Sequence, residues 1–556
     1  MVICEKKKAS VRVYTRQAEP GIYPDGLARS VHFSVKWENG AEEPLNAGYG
    51  ILFAEGTIRE NNTICPKCVA DARIAARKDG TFAVTARRVE EDGSEDEESR
   101  GKLLLWLTKD FISFEACGLV EEKEAQRERE LPRADTAWAA EDVCARALLY
   151  WGKLEQTGIR LPERAAVSCA QELEDVRALA VYSDGSVAEK RVDWDGSSVD
   201  FETEGEYLVK GRVKSPRYPF PLDRGWGDPV VFFWEGKYYY IATNDNRDDV
   251  GFYVREADRP EELFEEDRKR HIILDYDEER EFIQTFWAPE FHEIGGRLYI
   301  LFAVGPKKWG PQCWMMCLKE GGRITDAGSW EEPVRVRKKD GSFLCEKGIT
   351  LDMTYIRAEK ASYVVWSYRD GINSPLDTGS MLYIAQIDEK EPWKLMSDPV
   401  LLSRPLYGWE NTEGTINNEG PHAFVRDGKV YLTYSGGSAN GYSYVLGLLS
   451  ADASADLLDP ANWEKSLTPV LSFYSVEGQY GPGHNSFFVD PEGNLMIAYH
   501  GETAIDGHLR CPGIRRVHFD IQGRPRFDLS ADRDLKPELS DVELRITVKP
   551  DKGDKA

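Results

Sequence analysis

The sequence predicts an all-β protein, and three observations support that class. Short runs of Val, Ile, Tyr, Phe and Trp are broken by tight turns, as in "VVFFWEGKYYYIAT" (230–243) and "SFFVDPEGNLMIAYHG" (486–501). Two such runs joined by a turn of two or three residues are typical of a β-hairpin. Long helical periodicity is almost absent. The hairpins also recur at a regular interval through the second half of the chain.

That interval predicts the architecture. An acidic residue or a histidine stands before or at the start of each hairpin, at Asp228, Glu290, Asp352, Glu419 and His484. By subtraction the steps are 62, 62, 67 and 65 residues. Near-equal steps indicate a repeat, and antiparallel sheets repeated radially form a β-propeller with no long bare edge. We therefore expect a five-bladed β-propeller over residues 214–530.

A polar residue at the same point of each blade predicts a shared pocket. The innermost strand of every blade lines the central channel, so Asp228, Asp352, Glu419 and His484 should meet at one mouth although they are distant in sequence. Carboxylates gathered in one concave pocket raise each other's pKa, which is costly unless the groups are used. The pattern therefore predicts a catalytic site with three acids.

Two other carboxylates compete for these positions. The window "INNEGPHAFV" (416–425) is by itself typical of a solvated turn, because Asn, Gly and Pro favour turns. Glu413 precedes a glycine in the same region, and Asp223 lies close to Asp228. We favour Glu419, which alone is followed by Gly-Pro directly before the blade hairpin, and Asp228, which keeps the repeat register.

Upstream of the propeller the sequence predicts two further β domains. Residues 1–135 are strand-rich, and Asp71 stands there as Asp228 does in its blade. This piece could be a sixth blade or a second site, but we favour a noncatalytic accessory domain packed on the propeller. Residues 136–213 are predicted to be a β-sandwich, and residues 531–556 a strand and a disordered tail.

The segment "VYSDGSVAEKRVDWDGSSVDFETEGEYLV" (181–209) resembles the bacterial Ig-like domain of group four in its "YSDGS", Val-Asp-Trp and "GEY". The resemblance implies an Ig-like β-sandwich with an accessory role.

Charge and hydropathy restrict the partners. The net charge of −25 argues against nucleic acid and anionic membrane surfaces, which require basic patches. No apolar run approaches the roughly 18 residues of a membrane span. The N-terminus has positive charge but no apolar segment after it, so we do not expect a secretory signal. The oligomeric state is not predicted.

The ten cysteines have no disulfide-scaffold spacing, and the lone Cys65–Cys68 and Cys313–Cys317 pairs lack the partners of a zinc site. We expect free, mostly buried thiols and, from them, a reducing cytoplasmic location.

Five motifs in order carry a family resemblance: "GDP" at 227–229, "WAPE" at 287–290, "LDMT" at 351–354, "EGPH" at 419–422 and "GPGHNSF" at 481–487. Together they resemble glycoside hydrolase family 43, five-bladed propellers that hydrolyse arabinosides and xylosides with inversion. The resemblance implies that Asp228 is the general base, that Glu419 is the general acid, and that Asp352 orients the acid and raises its pKa.

The expected substrates are oligosaccharides from plant polysaccharides, with α-L-arabinofuranose as the sugar released. A β-xylosidase, an endo-arabinanase and a carbohydrate-binding propeller without catalysis are the alternatives. A retaining, sucrose-cleaving propeller is disfavoured because its Asn-Asp-Pro opening and its Glu-Cys acid motif are missing.

The resemblance also implies roles on the propeller axis. His484 corresponds to a histidine below the site that often reaches a calcium ion through water, so we expect a substrate-side role for it and possible Ca²⁺ binding. Arg510 is the expected substrate-contacting arginine, although the usual Gly-Arg pair is interrupted; Arg515 and Arg516 are alternatives.

Aromatic faces suit sugar C–H surfaces, and Trp287 is the favoured sugar-binding wall, ahead of Trp226 and Trp409.

Overall fold

The computed structural model describes residues 8–122, 134–412 and 414–550. The chain divides into two compact units. The first unit comprises Met1–Gly152, Phe220–Phe488 and Ile497–Ile514, and the second comprises Lys153–Pro219, Val489–Met496 and Arg515–Ala556. Neither unit is therefore one continuous stretch of sequence.

Five antiparallel sheets form the predicted five-bladed propeller, and the strands of each blade pair in sequence order. The strands are Gly227–Trp234, Lys237–Thr243, Phe252–Ala257 and His271–Leu274 in blade one; Gln284–Ile294, Arg297–Gly305, Gln312–Cys317 and Val334–Arg335 in blade two; Ile349–Arg357, Ser362–Arg369, Met381–Ile387 and Val400–Ser403 in blade three; Glu419–Arg426, Lys429–Gly436, Val445–Asp452 and Glu464–Lys465 in blade four; and Tyr480–Val489, Leu495–Glu502 and Cys511–Arg516 in blade five.

The first strands of the blades lie side by side around the channel. Ser486 of blade five donates a hydrogen bond from Oγ to the carbonyl oxygen of Pro229 in blade one, at 2.9 Å, which closes the ring.

Each inner strand is kinked near its start at a residue in the left-handed region. These residues are Asp228 (φ 54°), Ala288 (φ 45°), Asp352 (φ 53°), Gly420 (φ 55°) and His484 (φ 40°). In blades one to four the strand pairing shifts register at this kink, as at a β-bulge. The kink re-aims the side chains at the channel mouth relative to the regular strand that follows.

The kinks correct the predicted alignment of the blades. Ala288 and Gly420 occupy the positions that the sequence analysis gave to Glu290 and Glu419. Glu290 lies two residues farther along its strand, and Glu419 lies one residue before its kink. An alignment made on acidic residues misses this difference, because the bulge depends on backbone geometry rather than on side-chain type.

The N-terminal part of the first unit contains two four-stranded sheets. In pairing order their strands are Thr136–Ala140, Lys8–Tyr14, His32–Lys36 and Glu42–Pro44, and then Cys68–Ala76, Phe82–Val89, Lys102–Thr108 and Glu115–Glu121. A short pair, Thr57–Ile58 with Ile64–Cys65, lies between them in sequence.

The predicted boundary at residue 136 is wrong. Thr136–Ala140 pairs with Lys8–Tyr14, and the helix Glu141–Trp151 contributes Cys144 and Ala147 to the same core.

The second of these sheets repeats the blade kink. Asp71 has φ 54°, and the pairing of its strand shifts register between Ala70 and Arg73. The Asp71 side chain is 55% exposed, however, and it accepts a hydrogen bond from Arg87 Nε at 2.7 Å. This sheet therefore shares the backbone geometry of a blade but places its aspartate at the surface.

Segments between the N-terminal strands pack on blades three and four. Tyr23, Leu27 and Tyr49 belong to one hydrophobic core with Ile356 of blade three and Leu432 of blade four. This apolar contact attaches the N-terminal region to the two blades that carry Asp352 and Glu419.

The second unit contains a six-stranded sheet in the order Gln156–Arg160, Ala178–Tyr182, Val187–Trp194, Gly205–Lys214, Asp541–Val548, Ala165–Val167. Val187–Trp194 pairs through its first residues with Ala178–Tyr182 and through its last with Gly205–Lys214. A strand shared in this way is typical of the corner of a β-sandwich.

The C-terminal strand belongs to this unit rather than forming a separate element after residue 531. Asp541–Val548 pairs antiparallel with Gly205–Lys214, and Leu544 and Ile546 are buried beside Val209. Residues 551–556 of the predicted tail lie outside the described residues.

Helices are few and short. Besides Glu141–Trp151, the α-helices among the described residues are Asp25–Ala28, Ala170–Glu174 and Ala531–Asp534, and the 3-10 segments are Leu45–Gly48, Glu97–Ser99, Gly196–Ser198, Asp245–Arg247, Pro260–Phe264, Ala327–Ser329, Gly408–Glu410, Pro460–Asn462 and Pro537–Leu539. Within the described ranges, no helix has the length and apolar character needed to cross a membrane.

Candidate active site

Three acidic side chains meet at the kinked ends of the inner strands. Asp228 and Asp352 are buried, whereas Glu419 is half-buried. His484 Nδ1 lies 3.0 Å from Asp228 Oδ1, and the Gly420 N–H donates to Asp352 Oδ2 at 3.1 Å. The structure therefore brings together the residues that the sequence analysis predicted for the channel mouth.

Asp228 is held by partners from blades one and five. Thr243 Oγ1 donates to its Oδ2 at 2.5 Å, and Arg510 Nη1 donates to its Oδ1 at 2.9 Å. The Asp228 N–H donates to His500 Nδ1 at 3.1 Å, and Thr243 Oγ1 accepts from the Ala288 N–H at 2.9 Å. Together these bonds fix the orientation of the carboxylate and tie blade one to blades two and five.

The surroundings of Asp228 keep it ionised. Burial alone would raise its pKa, but the charges of Arg510 and His484 hold the pKa well below the usual range of an aspartate. His500 contributes as a neutral ring, since its Nδ1 accepts a hydrogen bond and burial lowers its pKa. Asp228 is therefore a carboxylate at any pH near neutrality.

Asp352 is bonded to the strand that carries Glu419. Ser367 Oγ donates to Asp352 Oδ2 at 3.2 Å, in addition to the bond from the Gly420 N–H. Burial raises the Asp352 pKa first, and Asp228 raises it further, while His484 acts in the opposite direction.

Gly420 is required here for two reasons. Its φ of 55° favours glycine, and a Cβ on it would lie 2.8 Å from His484 Cγ. The Gly420 backbone of blade four therefore lies close against the His484 ring of blade five.

Glu419 has the environment of a protonated acid. Tyr444 Oη donates to its Oε1 at 3.0 Å. Burial, followed by the negative charge of Asp352, raises the pKa of Glu419 to about 7. A carboxyl group with this pKa, half-exposed at the mouth, can donate a proton near neutral pH.

His484 is an ion-pair partner of Asp228. The backbone N–H of His484 donates to Ser435 Oγ at 2.8 Å. Burial lowers the His484 pKa, but the adjacent Asp228 outweighs this and raises the pKa to about 9, so the ring is cationic at neutral pH. A cationic imidazole has no free lone pair, and Ca²⁺ takes oxygen ligands. This chemistry argues against direct coordination of calcium by His484, and a calcium ion reached through water stays a prediction.

Arg510 is the arginine of the site. Its Nε donates to Asp245 Oδ2 at 3.0 Å, its Nη2 bonds the other oxygen of Asp245, and its Nη1 bonds Asp228. A Cβ on Gly227 would lie 2.1 Å from Arg510 Cζ, so a glycine at this position leaves room for the guanidinium.

The alternatives Arg515 and Arg516 lie in the second unit. There Arg515 Nη1 donates to the Phe527 carbonyl oxygen at 3.3 Å, and Arg516 Nη2 pairs with Asp534 Oδ1 at 2.5 Å.

Of the three tryptophans, Trp287 is half-buried and donates from Nε1 to Asp249 Oδ2 at 2.7 Å. Trp226 and Trp409 are fully buried, so the expectation that they form sugar-binding walls is wrong. Trp226 packs under Arg255, and Trp409 donates to the Leu467 carbonyl oxygen at 3.1 Å, as core residues do.

The two alternative carboxylates, Asp223 and Glu413, are not seen at the channel mouth. Asp223 forms ion pairs with Arg255 and Arg270 of blade one. Glu413 is outside the described residues, and the structure says nothing about it.

The two asparagines before Glu419 anchor its strand. Asn417 Nδ2 donates to the Gly437 carbonyl oxygen at 3.0 Å, and Asn418 Nδ2 donates to the buried Glu410 at 2.9 Å.

The sequence analysis missed the hydroxyl groups of the second strands. Thr243, Ser367 and Ser435 pair with Gly227, Leu351 and Glu419, at or next to the kinks. The Thr243 and Ser367 hydroxyls donate to the aspartates, and the Ser435 hydroxyl accepts from the His484 N–H. The recurring signal is Thr or Ser near the end of each second strand, as in "YYYIAT", "YVVWS" and "YLTYS".

A cavity of about 970 Å³ adjoins blades two and three. Its lining includes Trp309, Phe343, Arg335 and Lys347, together with Ile349, which begins the strand of Asp352. It offers aromatic faces and cations beside the inner strand of blade three.

The arrangement supplies one ionised carboxylate and one carboxyl group that can carry a proton near neutral pH. Asp228 remains ionised, and Glu419 titrates near neutrality. Such a pair can withdraw a proton from water with one group and deliver a proton to a leaving oxygen with the other.

Known proteins resemble part of this chain. A protein of Streptomyces avermitilis named extracellular exo-alpha-(1->5)-L-arabinofuranosidase is 33% identical over 329 residues, which are 57% of this chain and 64% of the relative. A protein of Streptomyces chartreusis with the same name is 33% identical over 287 residues, 51% of this chain and 82% of the relative. This chain thus spans less than two thirds of the S. avermitilis protein.

Among solved structures, an alpha-L-arabinofuranosidase from Lactobacillus brevis is 30% identical with a TM-score of 0.49, covering 56% of this chain and 96% of its own.

The expectation of a cytoplasmic location is wrong, since both Streptomyces relatives are named extracellular. The nine described cysteines form no disulfide, as expected. Burial raises the pKa of Cys68 to about 12 and that of Cys144 to about 11, so these thiols pack as small apolar groups. Their lack of pairing therefore carries little information about the compartment.

Two family profiles match the chain. The bacterial Ig-like domain (group 4) matches residues 179–216, within the strands of the second unit. The profile described as glycosyl hydrolases family 43 matches residues 221–525, more than half of the sequence and all five blades. This chain belongs to glycosyl hydrolase family 43.

Proposed function

We propose that this protein is an inverting glycoside hydrolase that removes terminal α-L-arabinofuranose from oligosaccharides of plant polysaccharides. The observation that carries the proposal is the opposite protonation of two acids at one mouth, with Asp228 ionised and Glu419 titrating near pH 7. An inverting glycosidase needs this pair, with the two groups on opposite faces of the sugar.

Asp228 is the proposed general base. It activates a water molecule for attack on the anomeric carbon. Its low pKa makes it a modest base, and its bonds to Arg510, Thr243 and His484 favour a fixed orientation over high basicity. Positioning of the water then supplies much of the rate enhancement.

Glu419 is the proposed general acid, and it protonates the leaving glycosidic oxygen. Asp352 keeps Glu419 protonated through its charge and holds the Gly420 N–H, which fixes the direction of the acid. His484 and Arg510 are positioning residues for Asp228 in this scheme. Trp287 is the proposed apolar wall for the sugar ring.

The sugar is proposed from the relatives. Both Streptomyces proteins are named exo-arabinofuranosidases, and they are 33% identical to this chain over 329 and 287 residues. We extend the named activity, and the extracellular place of action, to this chain as part of the proposal.

A pair of aryl glycosides tests the sugar. We expect 4-nitrophenol release from the α-L-arabinofuranoside to exceed release from the β-D-xylopyranoside. Greater turnover of the xyloside would favour the β-xylosidase alternative, and cleavage only inside long arabinan chains would favour the endo-arabinanase. No turnover of any of them, with binding retained, would favour a noncatalytic carbohydrate-binding propeller.

Product stereochemistry tests the mechanism. Proton NMR of the first turnovers should show an anomer opposite to that of the substrate. A retained anomer would contradict a water-activating role for Asp228.

Matched substitutions test the residues. Asp228→Asn and Glu419→Gln should each lower kcat on arabino-oligosaccharides by about 10²–10⁴-fold, the range of general acid–base catalysis. Asp71→Asn is the control, because Asp71 has the same backbone kink at the surface (φ 54° in both). Equal losses in all three variants would attribute the effect to folding rather than to chemistry.

A further inference from the structure

A second polar cluster lies on the inner strands, beyond the kinks. It consists of Glu290 and His292 in blade two and His422 in blade four, and we call it the channel cluster. Glu290 Oε2 lies 2.6 Å from His292 Nε2 and 3.9 Å from His422 Nε2. One ligand atom from each residue lies within 4.8 Å of the other two. This spacing is compatible with three ligands around one ion.

The register explains why these residues meet. Glu290 and His422 each lie two residues after the left-handed residue of their strand, Ala288 and Gly420. They therefore occupy equivalent places one step past the mouth. Blades two and four are not neighbours in the ring, so their side chains can approach only inside the channel.

The cluster leaves buried polar atoms without partners. Glu290 is 1% exposed and His422 is 6% exposed. Within the part of the chain that the structure describes, neither Glu290 Oε1 nor His422 Nδ1 has a hydrogen-bond partner. An unpaired buried carboxylate oxygen costs free energy, and a bound cation would remove that cost.

The donor atoms of the cluster favour coordination. The two rings are stacked, with centroids 5.7 Å apart. Two imidazoles and one carboxylate are a ligand set that binds zinc-like divalent transition metals rather than calcium.

We propose that Glu290, His292 and His422 form a binding site for a divalent transition metal of the zinc type, which connects blades two and four across the propeller channel. Its role is structural, because the ion would join two blades that share no sheet. The site shares no residue with Asp228, Asp352 and Glu419, which carry the proposed hydrolysis.

Metal titration of the full chain tests the site. After removal of metals by a chelator, we expect one equivalent of Co²⁺ to bind with visible absorption bands, to be displaced by Zn²⁺, and to raise Tm. Binding of a ligand by the folded state alone stabilises it by mass action. If the wild type showed no stoichiometric Co²⁺ binding and no rise in Tm, the proposal would be overturned.

Variants then assign the ligands. His422→Ala should weaken Co²⁺ binding by at least about 100-fold, on the scale known for groups around metal sites. His271→Ala, a half-buried histidine on the last strand of blade one, is the matched control and should bind as the wild type does. Equal binding by both variants would overturn the assignment.

Two further measurements keep the test decisive. If His422→Ala does not fold, electron paramagnetic resonance of the Cu²⁺-loaded wild type counts the coordinated nitrogens, and fewer than two would contradict the site. Asp228→Asn should lose hydrolysis and keep Co²⁺ binding, so failure of the metal proposal is distinguishable from failure of the proposed function.

Discussion

Asp352→Asn tests how the acid is tuned. The ordinary pKa of a glutamate here is 4.5, and burial followed by the charge of Asp352 raises that of Glu419 to about 7. Removing the charge leaves burial in place. We therefore expect the Glu419 pKa to fall by about one unit, worth about 1.4 kcal/mol of differential stabilisation. The asparagine Oδ1 can still accept from the Gly420 N–H.

The assay is kcat/KM against pH on an arabino-oligosaccharide, whose poor leaving group depends on the acid. The alkaline limb of this profile reports the acid in the free enzyme. It should move from near pH 7 to about one unit lower. A 4-nitrophenyl substrate, which needs less protonation, should show a smaller loss of rate. An alkaline limb that stays in place in a folded Asp352→Asn protein would refute the role given to Asp352.

Three further outcomes follow from the same geometry. Gly420→Ala should lose most activity and about 1–3 kcal/mol of stability in urea unfolding, while Gly428→Ala, also at positive φ but with open space, should retain activity. For Glu419, the raised pKa means that the protonated group stabilises the fold below about pH 4.5 and loses this effect as pH rises through 7. Glu419→Gln should therefore gain up to about 3 kcal/mol over the wild type above pH 8, and no gain would contradict the buried-acid assignment. Trp309→Ala should raise KM for oligosaccharides more than for the aryl arabinofuranoside if the cavity beside blade three holds the leaving group.

The propeller was predictable because its signal is periodic. Hairpins with tight turns at steps of 62–67 residues indicate the blade count, and the acids stand near the start of each repeat. The exact register was not predictable, because the kinks at Ala288 and Gly420 depend on backbone geometry. The motif "WAPE" therefore aligned Glu290 with Asp228, two residues beyond Ala288, which is the residue of blade two at the kink.

The remaining errors concern contacts between distant segments. Trp226 and Trp409 look like Trp287 in sequence, but only packing decides that they are fully buried. Similarly, Asp541–Val548 completes a sheet begun more than 300 residues earlier, and Thr136–Ala140 returns to pair with Lys8–Tyr14. Local composition carries no record of such partners. The predicted cytoplasmic location was wrong for a related reason, because unpaired thiols reflect packing rather than the cellular compartment.

The repeated kink sets the direction of a side chain independently of which residue type stands there. Because φ at one backbone position directs the side chain, an aspartate, a histidine, a glycine or an alanine can occupy it while the ladder beyond remains regular. Ala288 and Gly420 show that two of the five positions bear no functional group. The backbone at the mouth can therefore accept different side chains at the kink positions. In blade two, a new side chain such as that introduced by Ala288→Ser could be presented to the substrate without changes to the other four blades.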